Sequence, residues 1–406
     1  MGRLLQAAIL LCCWSWIYTT ESSCVFDLEC PECIPDNMPL VTSHRAHNGS
    51  VLVAEGDEVT LSCGASRFVL FPLRATVTAR CSAGLLRVAG EATLRHVLDL
   101  ACQQDIFEDA LHSVEGCAPP LQGHSYQLQE SSAGPRHLAL VCFDEDRGLP
   151  VFTQAVSSAS HELRLAPHSD RSSPLTLFGN LNGMFDANTR AVAEKLYSDD
   201  ERLNRRLHEL FKHERISFAS QRLTSGRLLA PHYFDDQNMR VAEFTTNKVA
   251  LWTSVAEGNW RHLQRDVARL LRARGGLVVA SGTHGEGALR AADGRRPVRL
   301  RGERFPTPRY VWSLVAGGGR ALVVLVLNEP FVSVSEVREA VFCESACARV
   351  SWLRELRRAR RFETPLYGLA VCCEAHEAAD KVPEIPRHLL ADVPRGAGGV
   401  LTELPA

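Results

Sequence analysis

Lysine is nearly missing from this chain. Of 45 basic residues in 406, only Lys195, Lys212, Lys248 and Lys381 are lysines. The rest are arginines, whose planar forks suit phosphate, although a chain this rich in Ala, Gly and Leu also draws arginine through coding composition alone. Net charge is scarce too. The formal balance of −2 removes any global pull toward nucleic acid. Long apolar runs are confined to the N-terminus. Beyond it no stretch is long and apolar enough to cross a bilayer, and Ala321 to Leu327 has the length of a buried strand. A membrane-spanning chain is thereby excluded, and no membrane is expected among the partners. With 45% hydrophobic and 23% charged residues the composition is that of a globular protein, and the length allows two domains.

What is present begins at the N-terminus. Arg3 precedes an apolar run from Leu4 to Tyr18, broken only by Gln6 and Ser15, and Thr19, Thr20, Ser22 and Ser23 follow. That pattern is a secretory signal peptide over 1–23, so the expected location is extracellular. Cys12 and Cys13 leave with it. The remaining cysteines form two groups: Cys24, Cys30, Cys33, Cys63, Cys81, Cys102, Cys117 and Cys142, then Cys343, Cys347, Cys372 and Cys373. Both groups are even, so each can close on itself in an oxidising compartment. A zinc site is the rival for the second group, but adjacent cysteines rarely chelate one metal. Asn48-Gly49-Ser50 is a sequon, which makes Asn48 a glycosylation candidate once the chain is secreted.

Residues 24–150 read as a cysteine-rich β module. Val51 to Val53 and Val59 to Leu61 flank the turn Glu55-Gly56-Asp57, and His137 to Phe143 is another strand. Helical periodicity is poor, Glu91 to Leu100 excepted. From 151 to 393 the pattern becomes mixed. Asn188 precedes a helical stretch carrying Val192, Leu196, Leu203, Leu207, Leu210 and Phe211, and a second helix spans about Gly258 to Leu271. Leu277 to Ala280, Tyr310 to Val315 and Ala321 to Leu327 are strands, the last two joined through Gly317-Gly318-Gly319 as a hairpin. Residues 394–406 look like a loose tail.

One set of segments carries a resemblance. Gly226-Arg227-Leu228-Leu229-Ala230-Pro231 is followed by Phe244-Thr245-Thr246-Asn247-Lys248-Val249-Ala250-Leu251-Trp252 and then Glu257-Gly258-Asn259-Trp260. These resemble, in order and spacing, the secreted DNA/RNA non-specific endonucleases of arthropod type, which read Arg-Gly-His-Leu-Ala-Pro, then Asn-x-Ala-Pro-Gln-Trp, then Asn-x-Gly-Asn-Trp. Val278 to Gly285, Pro308 to Trp312, Asn328-Glu329-Pro330, and Cys343, Cys347, Trp352 and Cys372-Cys373 fit later stretches of that family. The resemblance implies an α+β fold with a ββα-metal nuclease-like antiparallel sheet flanked by helices, preceded by a small cysteine-rich β module. It also implies two bridges among Cys343, Cys347, Cys372 and Cys373.

Phosphodiester hydrolysis needs a base to activate water, a divalent cation and arginines on the phosphate. Carried over residue by residue, the family histidine falls on Leu228, the metal-binding asparagine on Ala256 and the acid on Gln264. The motif arginine falls on Gly226, and the one further along the helix on Ala268. Every position is substituted, while Pro231, Phe244, Asn247, Gly258 and Trp260 are kept. The reading is a secreted nuclease-like pseudoenzyme that retains nucleic-acid binding through arginines. Arg227, Arg295, Arg296, Arg357 and Arg358 are the contact candidates, within clusters that also hold Arg299, Arg301, Arg304, Arg354, Arg360 and Arg361. The alternative is an active Mg²⁺- or Mn²⁺-dependent endonuclease with a displaced site. There His232, about 13 Å beyond Leu228 if the segment stays extended, replaces the base, and Glu257, Asp235 or Asp236 supplies the carboxylate.

Overall fold

The computed structural model describes residues 23–28, 30–35, 37–47, 49–130, 134–156, 177–179, 181–214, 218, 221–292, 294–358 and 362–403. Residues 1–22 of the expected signal peptide, Asn48, Arg360 and Arg361 lie outside the described residues. The chain divides into two compact units, one running to Cys63 and continuing through Arg67–Gln103, the other made of Gly64–Ser66 and everything from Gln104.

Short alternating strands build the first unit. Leu40–Val41, Glu58–Ser62, Thr76–Ser82, Leu85–Val88 and Leu94–Arg95 form a five-stranded antiparallel sheet, and Cys24–Asp27 pairs separately with Ser50–Val53. Val59, Leu61, Val77, Ala79 and Cys81 point to one buried side at period two. Three bridges tie this small core: Cys24–Cys81, Cys30–Cys33 and Cys63–Cys102. The expected helical stretch from Glu91 to Leu100 is instead the strand Leu94–Arg95 and a single turn, Val97–Asp99, closed by a His96–Asp99 capping box.

An eight-stranded antiparallel sheet organises the second unit. Its order across the sheet is Ala370–Cys373, Arg320–Leu327, Pro308–Gly317, Val278–Glu286, Leu149–Ala155, Arg136–Asp144, Gln122–Leu128 and Phe107–Leu111. The domain boundary expected between 150 and 151 therefore falls inside a strand. The structure divides the chain at Gln103/Gln104, because three strands before 150 hydrogen-bond into the same sheet as the later ones. The bridge Cys117–Cys142 belongs to this unit as well.

Arg320–Leu327 is buried on both faces, which its unbroken Ala-Leu-Val-Val-Leu-Val-Leu run requires. Its hairpin partner Pro308–Gly317 is reached through Gly318 and Gly319, at φ +59° and +70°, the left-handed pair a two-residue turn demands. On one side Ala375, Ala378, Ala379 and Val382 pack into the same core as Trp312, Leu314 and Val323.

The helical stretch expected from Asn188 to Phe211 is two helices, Ala187–Leu196 and Asp200–Leu210. The first closes at Tyr197, whose N–H donates to Ala193 O, and Asp199 caps the second by accepting from Glu201 N–H. The tail is not loose either. Leu401 is fully buried, its N–H donates to Ala321 O at 3.0 Å, and its carbonyl accepts the Trp352 indole N–H at 2.9 Å. Closing the second unit are Cys343–Cys373 and Cys347–Cys372, the four C-terminal cysteines pairing with one another.

Candidate functional site

Within the second unit, Leu223–Arg227 pairs antiparallel with Lys248–Trp252, register Arg227↔Lys248, and the chain then enters a helical segment ending in Arg261–Ala273. The junction is a wide turn, Ala256–Trp260, broken by Gly258 at φ −93°, ψ −124°. A Cβ on Gly258 would come within 2.6 Å of the Tyr367 carbonyl, so glycine alone fits. Two strands followed by a helix are the arrangement the motif order implies.

Asn247 fixes the turn between the strands. Its Oδ1 accepts from Leu229 N–H at 2.9 Å, and its Nδ2 donates to Leu229 O and Ala242 O, each at 2.9 Å. With the residue fully buried, these three bonds satisfy it. Beneath it lies a buried chain: His124 Nδ1 to Asp109 Oδ1 at 3.0 Å, Thr246 Oγ1 donating to Asp109 Oδ2 at 2.8 Å, and Tyr126 OH to Thr246 Oγ1 at 2.7 Å. Nothing in the local sequence pattern of Asp109 or His124 announces this network, since its members are up to 137 residues apart.

The positions carried over from the nuclease motif meet around Arg227 and Leu228. Leu228 is fully buried. Gln264 donates through Nε2 to Arg227 O at 2.9 Å and Leu228 O at 3.3 Å, and the Trp260 indole donates to the same Arg227 O at 3.0 Å. Ala256 is half-buried and carries only a methyl. At Gly226 a Cβ would come within 2.4 Å of Leu251 Cδ1, and Ala268 is fully buried, so neither place has room for the family arginine. The donor set does not fit a divalent cation, because the one polar side chain left at these positions presents its amide hydrogens to main-chain carbonyls.

Arg227 stands next to this cluster but is committed. It forms an ion pair with buried Glu243 at 2.8 Å, and Lys248 approaches the same carboxylate at 3.4 Å. Burial pulls the Lys248 ammonium below its usual value, and Glu243 opposes that. His232 does not continue the strand, which ends at Arg227. It sits in the single turn Pro231–Tyr233, so the extended spacing from Leu228 does not apply. Burial, then Arg272 and Arg227, push its pKa down to about 4. Glu257 is exposed and lines a cavity of about 180 Å³ with Ser254, Gly258, Asn259, His262 and Tyr367, a lining that does not include His232. Asp235 caps the next turn, accepting from Asn238 N–H, and Asp236 is buried.

The other arginines separate by partner. Arg295 pairs with Glu329 at 2.6 Å and Glu336 at 2.9 Å, and Arg296 with Glu214 at 3.1 Å over the Phe211 ring. Arg357 and Arg358 lie exposed, with Arg354, on the short helix Arg354–Arg358. That helix is held by Asp266, fully buried, whose carboxylate accepts from Glu355 N–H at 2.9 Å and Leu356 N–H at 3.0 Å and pairs with Arg269. Burial raises the Asp266 carboxyl.

No family model matches the chain, and no curated protein matches it. Among the solved structures similar to it is the crystal structure of the EndoG/EndoGI complex, described as giving the mechanism of EndoG inhibition, at a TM-score of 0.27 and 10% identity, over 47% of this chain and 71% of that one. Backbones that diverge this far do not transfer residue positions from one to the other.

Proposed function

We propose that this chain is a secreted protein on a nuclease-like frame whose hydrolytic chemistry has been replaced by structure. The observation that supports this most is the Gln264 amide, turned inward onto the Arg227 and Leu228 carbonyls where a nuclease would present an acid. Leucine takes no proton and alanine binds no cation. Loss of a general base alone costs about 10²- to 10⁴-fold. Six disulfides and the absence, among the described residues, of any helix able to cross a membrane agree with secretion.

Nucleic-acid binding, in this reading, rests on Arg354, Arg357 and Arg358 rather than on Arg227, Arg295 and Arg296, whose charge is matched by carboxylates. A gel shift with duplex DNA should show sequence-independent binding that weakens steeply between about 50 and 200 mM salt and is lost when Arg357 and Arg358 become Gln. No shift at the lower salt removes the binding role.

A second reading has one observation in its favour. Burial, then the charges of Arg272 and Arg227, keep His232 unprotonated at neutral pH, as a general base must be, although so low a pKa makes it a weak one. Mg²⁺ or Mn²⁺ would then be required. Plasmid DNA and RNA incubated with the purified protein and either ion should stay intact. Chelator-sensitive cleavage that disappears in His232→Ala would establish the displaced site and end the pseudoenzyme reading.

A further inference from the structure

Five consecutive apolar residues, Val69 to Leu73, stand out from the first unit on a tight loop. Phe68 N–H donates to Arg74 O at 3.1 Å, Val69 N–H to Ala101 O at 2.9 Å and Arg74 N–H to Phe71 O at 2.8 Å. Phe68 is fully buried and bridges Cys102, which the disulfide ties to Cys63. The base is therefore anchored, and Pro72 and Leu73 occupy the corners of a β-turn.

Proline presets the first corner. A turn corner facing water normally takes Gly, Asn or Asp at the second. Here it is Leu73, 93% exposed, with Val69 at 55% and Leu70 at 41%. Single exposed hydrophobics are ordinary. Three of them on one hydrogen-bonded loop leave apolar area in water that folding does not require.

Charge narrows the choice of partner. From Gly64 to Ala75 the only charged residues are Arg67 and Arg74, one on each side of the loop. The Arg74 guanidinium lies over the Phe71 ring at 5.4 Å and donates to Ala89 O, which keeps the cation at the flank. An apolar tip with cations at its base matches the layering of a bilayer surface, acyl carbon inside and anionic headgroups outside.

We propose that Val69–Leu73 is a membrane-surface anchor. It inserts Leu70, Pro72 and Leu73 at the headgroup–acyl boundary of an anionic bilayer, while Arg67 and Arg74 meet lipid phosphates. This departs from the expectation of no membrane partner, which was drawn from the lack of a spanning segment. A lipid surface fits better than a protein groove, because the loop already uses the Phe68, Val69 and Arg74 N–H groups internally and offers mainly apolar contact and charge. A single short anchor gives weak, reversible attachment.

Co-sedimentation of the full, oxidised chain tests this. Vesicles of phosphatidylcholine with about one third phosphatidylserine should carry the protein down, and phosphatidylcholine alone should not. Leu73→Asp and Leu70→Asp should each weaken binding at least about tenfold, Arg67→Gln should weaken it less, and Leu111→Asp, an exposed site in the second unit, should leave it unchanged. Melting curves of the variants should superimpose on that of the parent, since the substituted side chains are exposed. No binding to the anionic vesicles, equal binding to neutral ones, or binding indifferent to Leu73→Asp overturns the proposal. A Leu73-dependent complex with a soluble protein, without vesicle binding, would replace the lipid by a protein groove.

Discussion

The side chain of Gln264 donates to the main-chain carbonyl of Arg227 at 2.9 Å, across 37 residues of sequence. This bond joins the helix to the end of the first strand of the ββα segment, and the Trp260 indole doubles it on the same oxygen. A carboxylate cannot make it. Gln264→Glu, which would return the family acid, should therefore destabilise the second unit by about 2 kcal/mol, and Gln264→Ala by about 1 kcal/mol. With the signal peptide and its Trp14 and Trp16 removed, the remaining tryptophans, Trp252, Trp260, Trp312 and Trp352, all belong to that unit, so tryptophan fluorescence in urea reads it selectively. A Gln264→Glu variant as stable as the parent would mean that the amide has no structural role.

Asn247 is the stronger lock. Asn247→Ala strands Leu229 N–H, Leu229 O and Ala242 O in a fully buried place, and we expect a loss of about 3 kcal/mol. Asn247→Asp should cost at least as much, because it keeps one acceptor and sets a carboxylate against two carbonyls. The same urea titration checks both. Equal stability of the Asp variant and the parent would contradict the bonding pattern.

Acid should act through His232. Its folded pKa of about 4 lies below the ordinary histidine value of 6.5, so between those values the unfolded chain binds a proton that the folded chain refuses. Stability is then full above about pH 6.5 and falls as pH drops toward 4, with a slope of up to about 1.4 kcal/mol per unit. His232→Gln should remove this slope, so the parent-minus-variant difference in stability should shift by more than about 1 kcal/mol, against the parent, as pH falls across that window. A difference that does not change from pH 7 to pH 4.5 would show that His232 titrates as it does in the unfolded chain.

Local features were legible in the sequence, and long-range ones were not. The Gly318-Gly319 hairpin, the strand Arg320–Leu327 and the helix carrying Trp260, Leu263 and Val267 follow from turn chemistry and period. Leu228, Ala256 and Gln264 could be located because Asn247 and Trp260 bracket them. Gln264's bonds to two carbonyls could not be read, since they depend on where another strand ends. Strands before 150 look the same whichever sheet they join, which is why the boundary moved to Gln103/Gln104. The arginine runs were ambiguous for a related reason: Glu329 and Glu336 lie 34 and 41 residues from Arg295, and Glu214 lies 82 residues from Arg296.

The C-terminal segment gives the clearest case of composition misleading, and its removal is a direct test. Gly396, Gly398 and Gly399 suggest a tail with nothing to bury. Yet Val400 bridges Ala321 in parallel at the end of a central strand, Leu401 is fully buried, and Ser351 N–H donates to Thr402 O at 2.8 Å. Trp352, 4% exposed, has its indole N–H on Leu401 O. Deleting 397–406 removes all of these at once and should lower the stability of the second unit by about 3 kcal/mol, with a red shift in emission as Trp352 becomes wet. Leu401→Ala keeps the main-chain bonds and removes only packing, so it should cost about 2 kcal/mol without the full shift. Ending the chain after Thr402 should change neither quantity. If the 397–406 deletion melts at the same urea concentration as the parent, the segment is a tail after all and its contacts contribute nothing.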